Sequence, residues 1–76
     1  MHVAWWRPNA AASGQGAWVV SWLPLRLLTK QQALAAMMLT ETVSKGITPQ
    51  DQQSIESWAH ELGLTSSEAI AAVTQE

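Results

Sequence analysis

The chain has 76 residues and a net charge of −2, and 47% of its residues are hydrophobic whereas only 13% are charged. This length predicts a single domain over residues 1–76, built around one small core. The absence of cysteine excludes disulfides and thiolate metal sites and favours a reducing cytoplasm, and no apolar stretch reaches the roughly 20 residues that a membrane span requires.

Two short β-strands are predicted at the start of the chain. Residues 2–7 are rich in strand-forming side chains, and residues 17–23 alternate, with large apolar side chains on one face. The segment 8–16 contains proline, asparagine, serine and glycine, which indicates a loop. Pro24 has no backbone N–H and is expected to end the pairing. These features predict a β-hairpin over residues 2–23.

Three helices follow, and local signals mark their ends. Thr29 with Gln32, and Thr65 with Glu68, match the capping box, in which two side chains satisfy the first backbone N–H groups of a helix. Gly63 fits the position just after a helix, where positive φ angles are common. The fold class is therefore α+β, an N-terminal hairpin packed on three helices (ββααα). The predicted helices cover about 30–45, 49–62 and 66–75.

The last two helices are predicted to form a corner like a helix-turn-helix over residues 54–74. Ala59 is small enough to let two helices cross closely, and Gly63 permits a sharp turn, although the same pattern suits any helical corner. Charge disfavours DNA binding here, because residues 47–76 contain five acids and no lysine or arginine. Residues 1–46 contain all four cations and one acid, so a basic front remains a second possible DNA contact.

No arrangement of residues indicates catalysis. His60 is the only internal histidine, and it stands beside Glu61 and four residues after Glu56, a spacing typical of a solvated helix contact. Gly14 and Gly16 do not form a phosphate-binding fingerprint. We therefore expect no enzyme activity, no cofactor and no metal site.

An apolar stripe on the first predicted helix allows two interpretations. It consists of Leu34, Met37, Met38 and Leu39. A stripe of this kind favours a place in the core, whereas its adjacent methionines also suit an adaptable binding groove.

Trp5 and Trp6 are the strongest candidates for contact with a partner. Adjacent strand residues point to opposite faces, so one core cannot easily bury both rings, whereas Trp18 and Trp22 are expected to share a face that packs on the helices. Tryptophan is also enriched at the residues that dominate binding interfaces. The candidate contact residues are Trp5, Trp6, Arg7 and Arg26.

The segment that begins Trp18-Val19-Val20-Ser21-Trp22-Leu23-Pro24 and continues to Met37 resembles a group of small, uncharacterised proteins of actinobacteria and their phages. These proteins read roughly W-x-V-S-W-L-P-G-R-x-L-x-x-x-Q-A-x-x-A-M. This chain has Leu25 where that pattern has glycine. The resemblance implies an intracellular phage or prophage accessory protein and implies no catalytic residues.

The sequence thus predicts a small protein-interaction module whose partner is a host or phage protein. One alternative is a small DNA-binding regulator that uses the corner or the basic front. Another is a structural homo-oligomer paired through the edges of the hairpin, because unpaired strand edges readily join other strands.

Overall fold

The computed structural model describes residues 2–8 and 16–75, which form a three-stranded antiparallel sheet with three helices packed on one face. The sheet order is β1-β2-β3, so the α+β class is confirmed. Most of the predicted loop at 8–16 lies outside the described residues. In the part of the chain described, no helix is long and apolar enough to cross a membrane. The elements are β1 (Ala4–Arg7), β2 (Ala17–Val20), β3 (Leu23–Leu28), α1 (Lys30–Lys45), a 3₁₀ turn (Pro49–Asp51), α2 (Gln52–Glu61) and α3 (Ser66–Thr74).

The third strand corrects the predicted hairpin, because pairing does not end at Pro24. Val20 pairs with Leu23 across a tight turn, and β3 then continues to Leu28, where it faces Trp18. The surplus residues of β3 bulge outward, and Leu25 is 97% exposed. Proline is tolerated here because Pro24 lies at the start of β3, where no further strand among residues 2–8 and 16–75 needs the missing N–H.

The core lies between the sheet and the helices and is anchored by Trp22. This ring comes from the β2–β3 turn, is buried, and donates its indole N–H to Thr40 Oγ1 over 3.0 Å. The Thr40 hydroxyl donates in turn to the carbonyl of Ala36 over 3.0 Å, so the polar atoms of this buried group are satisfied. The other core residues are Val20, Leu28, Ala33, Ala36, Leu39, Ile55, Ala59, Leu62, Ala69 and Val73.

The predicted capping boxes are confirmed at α1 and α3. At α1, Thr29 Oγ1 accepts from the Gln32 N–H over 3.1 Å, and Gln32 Oε1 accepts from the Thr29 N–H over 3.0 Å. The same pair of bonds joins Thr65 and Glu68 at α3, again over 3.1 and 3.0 Å. Both helices therefore begin where the sequence indicated.

The segment between α1 and α3 differs in one detail from the prediction. Residues 49–51 form a 3₁₀ turn, so α2 begins only at Gln52. The Asp51 carboxylate holds that turn by accepting from the N–H and hydroxyl of Thr48, over 2.9 and 3.0 Å. At the other end, Gly63 adopts a φ of +72°, and the Leu64 N–H returns to the Ala59 carbonyl, as the predicted helix stop requires.

His2 fixes the start of β1 to the rest of the molecule. Its Nε2 lies 2.7 Å from the carbonyl oxygen of Val73, which can only accept, so Nε2 carries the proton. Nδ1 lies within hydrogen-bond distance of Ser21 Oγ, 2.9 Å away, and Ser21 Oγ accepts from the Val3 N–H over 2.9 Å. These bonds set the position of β1 against β2, and nothing in the local sequence indicated them.

Candidate functional site: the edge strand β1

One edge of β1 has no neighbouring strand among the described residues. The Val3 carbonyl accepts from the Ser21 N–H over 2.9 Å, which marks a hydrogen-bonded pair. Because hydrogen-bonded and non-hydrogen-bonded pairs alternate in antiparallel sheets, the next position, Ala4, is non-hydrogen-bonded, and so is Trp6. The backbone N–H and C=O groups of Ala4 and Trp6 therefore point away from β2, toward the free edge.

Trp5 lies on the outer face of the sheet, the side opposite the helices. It pairs with Val19, which is 1% exposed yet takes no part in the helix-facing core. The Trp5 ring itself is 40% exposed. Strand alternation places Val3 and Leu27 on the same face, and both are also exposed. The outer face therefore carries exposed apolar side chains around a buried centre at Val19.

Trp6 lies on the other face, at the rim of the helix-covered side. It pairs with Trp18, and the two rings meet edge to face with their centroids 5.6 Å apart. Trp18 packs on the core, whereas Trp6 remains 51% exposed. The Trp6 ring rests directly on Gly16, since a Cβ at Gly16 would lie 1.9 Å from a ring carbon. The sequence indicated this glycine only as a loop residue.

A small apolar groove runs between β1 and α1, and we call it the β1–α1 groove. It contains a cavity of about 150 Å³, and Leu34, on its α1 wall, is 58% exposed. The predicted stripe on α1 is therefore divided, because Leu39 is buried in the core whereas Leu34 and Met38 face solvent. The cavity is lined by Ala4, Trp18, Lys30, Ala33, Leu34 and Met37.

Arg26 does not join the other candidate contact residues. It lies on β3, at the opposite edge of the sheet from β1, and it is only partly exposed. Its guanidinium donates to the carbonyl of Leu62 over 2.5 Å, which ties β3 to the end of α2. The expectation that Arg26 stands beside Trp5 and Trp6 is therefore corrected, whereas Arg7 directly follows them on β1 and is exposed.

The four cations of the front half do not form one patch. Arg7 and Arg26 occupy opposite edges of the sheet, and Lys45, at the end of α1, lies 3.8 Å from the Asp51 carboxylate. The outward side of the α2–α3 corner carries exposed acids instead, among them Glu68. The Thr65 N–H, followed by the Thr65 hydroxyl, lowers the pKa of Glu68 and so favours its negative form.

The described residues contain no cluster of three or more histidine, aspartate or glutamate side chains that could hold a metal ion. His60 and Glu56 are both exposed on α2. No protein-family model, curated protein or solved structure matches this chain. The resemblance to actinobacterial and actinophage proteins therefore stays a prediction.

Proposed function

We propose that this chain is a protein-interaction module that binds its partner through β1 and its two tryptophans. The observation that carries the proposal is the exposure of Trp5 and Trp6, 40% and 51%, on the two faces of a strand with one unpaired edge. At these exposures each ring leaves roughly 100 Å² in water, given that a tryptophan can bury up to about 250 Å². Rings of this kind supply much of the binding energy of protein interfaces.

The partner in this proposal is a host or phage protein met inside the cell. The resemblance to actinobacterial and actinophage proteins supports that origin, and the cysteine-free sequence supports a reducing compartment. No role in catalysis is proposed, because His60 and Glu56 are exposed and distant in sequence from the groove at β1.

The test is quantitative capture of a partner from host lysate by three immobilised proteins. These are the wild type, the double variant Trp5→Ala/Trp6→Ala, and the control Ile47→Ala. Ile47 is comparably exposed but lies between α1 and the 3₁₀ turn, away from β1. We expect the double variant to lose at least about 10-fold in affinity for the captured protein, whereas the control binds as the wild type does.

Circular dichroism of each variant establishes that it is folded before capture is compared. A folded double variant that retains the partner at full affinity rules out β1 as the contact. Equal loss in the Ile47→Ala variant rules it out as well, because the effect then does not depend on where the apolar side chain lies.

Self-association is the second candidate function, and the outer face of the sheet favours it. Val3, Trp5 and Leu27 form an exposed apolar surface there, and both edge strands of the sheet lack a neighbour in the described part of the chain. Sedimentation equilibrium separates this candidate from the first, since a homo-oligomer gains mass with protein concentration without any added partner.

DNA binding has less support, because the cations are dispersed and the α2–α3 corner is acidic. Titration with mixed-sequence duplex DNA at about 50 and 200 mM salt tests it, since four phosphate contacts predict a log–log slope of roughly −3.6.

A further inference from the structure

The free edge of β1 presents backbone groups that lack protein partners among the described residues. The N–H and C=O groups of Ala4 and Trp6 point along this edge. An extended peptide that pairs with an exposed strand edge satisfies such groups and obtains affinity from main-chain hydrogen bonds. The geometry of β1 therefore suits a strand more than it suits a helix or a loop.

The β1–α1 groove lies beside that same edge. Ala4 and Trp6 direct their side chains to the helix-covered face, as their partners Val20 and Trp18 show. A strand added to β1 places every second side chain on this face too, next to the cavity of about 150 Å³. An apolar cavity of this size accommodates a group as large as benzene, so it fits a leucine or methionine side chain.

Positive charge stands at one end of the groove. Trp6 faces Trp18, Trp18 faces Leu28, and Lys30 follows Leu28 by two residues, so Lys30 and Arg7 lie toward the same end of the sheet. Lys30 also lines the cavity, and both cations are exposed. Neither forms an ion pair with an acid in residues 2–8 or 16–75. An acidic side chain in the partner complements this end of the groove.

We infer that the partner presents an extended segment that adds to β1 as a fourth strand. One bulky apolar side chain of that segment enters the β1–α1 groove, and an acidic side chain two residues away, on the same face of the added strand, lies beside Lys30. The inference rests on the proposed function, and it specifies the chemistry of the partner at the same site.

The probe is a blocked, fluorescein-labelled decapeptide of alternating threonine and valine with a central leucine and an aspartate two residues before and two residues after it, so that all three side chains share one face of the strand. Its binding to the full chain is followed by fluorescence anisotropy at low salt. Two matched peptides replace the leucine with serine or both aspartates with lysine. We expect saturable binding of the first peptide, about 10-fold weaker binding of the serine peptide, and at least about 3-fold weaker binding of the lysine peptide.

Two protein variants test the edge and the charge separately. Ala4→Pro removes an N–H from the free edge without touching the bonds to β2, so it is expected to abolish peptide binding. Lys30→Glu replaces a cation in the first turn of α1 with an acid, which favours the helix, so loss of folding does not explain its effect. This variant is expected to bind the aspartate peptide more weakly than the wild type does and to bind the lysine peptide more tightly.

Reversal of peptide preference in the Lys30→Glu variant supports the inference. Absence of saturable binding overturns it, and so does equal affinity of the aspartate and lysine peptides for the wild type. Capture of the partner from lysate by the tryptophan and Ala4→Pro variants distinguishes the two proposals. If capture depends on the tryptophans but is unchanged in a folded Ala4→Pro variant, the interaction module stands and strand addition is wrong. If capture does not depend on the tryptophans, the module itself is wrong.

Discussion

The helices and the edge strand β1 use their apolar side chains in opposite ways. In the helices, residues that are completely buried include small ones, such as Ala36, Ala59 and Ala69, which let the three helices approach one another. In β1, two of the five tryptophans, Trp5 and Trp6, remain about half exposed. Burial in this protein therefore does not follow side-chain size.

The contrast separates stability from binding. Truncation of a buried leucine leaves a cavity in the core and lowers the free energy of unfolding, whereas truncation of an exposed ring changes that free energy little. The helical core and the Trp22 anchor hold the fold, and β1 is free to present its rings to a partner. The Trp6 ring contacts Trp18 edge to face, and Trp18 packs on this core.

The largest expected effect is the loss of Leu39, which is fully buried in α1. Leu39→Ala is expected to lower the free energy of unfolding by about 2–5 kcal/mol, which is a large share of the stability of a chain this short. Trp6→Ala removes a larger side chain but is expected to lower it less, because half of that side chain is already in water and its contact with Trp18 adds only about 0.5–1.5 kcal/mol beyond burial. Urea unfolding followed by circular dichroism measures both. Equal effects of the two substitutions would show that β1 belongs to the core.

The next effect concerns the indole of Trp22. Trp22→Phe keeps an aromatic ring but removes the N–H that Thr40 Oγ1 accepts, and it is expected to destabilise the fold by about 1–3 kcal/mol. The matched substitution Trp5→Phe is expected to stay within about 0.5 kcal/mol, because that ring is exposed. Unfolding of Trp22→Phe, Thr40→Val and the double variant in urea gives the coupling between the two side chains. A coupling near zero contradicts a role for the hydrogen bond.

A third prediction compares two glycines that are needed for different reasons. Gly16→Ala places a Cβ against the Trp6 ring and is expected to displace it from Trp18, at about 0.5–1.5 kcal/mol. Gly63→Ala has open space around it but strains a φ of +72°, and it is expected to lower stability by about 1–2 kcal/mol. Near-ultraviolet circular dichroism separates them, since the signal of the tryptophan pair should change only in Gly16→Ala. A change in both variants would contradict the assignment.

The helices could be predicted because their signals are local. Thr29 and Gln32, like Thr65 and Glu68, cap a helix through bonds that span three residues, so the sequence contains all of the information. The opposite orientation of Trp5 and Trp6 followed from strand periodicity in the same way. Features that depend only on residues within one helical turn or one strand could therefore be predicted from the sequence.

The third strand and the groove could not be predicted, because both depend on distant residues. Pro24 is compatible with β3 because no strand in the described part of the chain lies beyond it, which local sequence does not reveal. Arg26 is drawn from the candidate contact by the carbonyl of Leu62, 36 residues away. The groove exists only where β1, β2 and α1 come together. In the sequence, only the apolar stripe on α1 indicated the groove, and that stripe was equally compatible with a place in the core.

The smallest expected effect is a dependence on pH that arises in the helical part alone. Bonds from Thr65 lower the pKa of Glu68 below its ordinary value of 4.5, and bonds from Thr48, with a lesser contribution from Lys45, lower that of Asp51 below 3.8. A lowered pKa in the folded state means that the stabilisation is present above the unfolded pKa and is lost as pH falls through the folded value. Both contributions should therefore weaken as pH falls below the ordinary values and be lost once it falls below the lowered pKa of each carboxyl group.

Glu68→Gln retains an oxygen that accepts from the Thr65 N–H, since glutamine also completes a capping box. The variant is expected to be slightly less stable than the wild type at pH 7 and to approach its stability as pH falls through the lowered pKa of Glu68, because only the wild type loses a charge-assisted bond in acid. In the double variant Glu68→Gln/Asp51→Asn, the free energy of unfolding should depend still less on pH in the acid range. Urea midpoints measured between pH 2.5 and 7 test this, and an unchanged acid limb in the double variant would place the acid sensitivity outside the two caps.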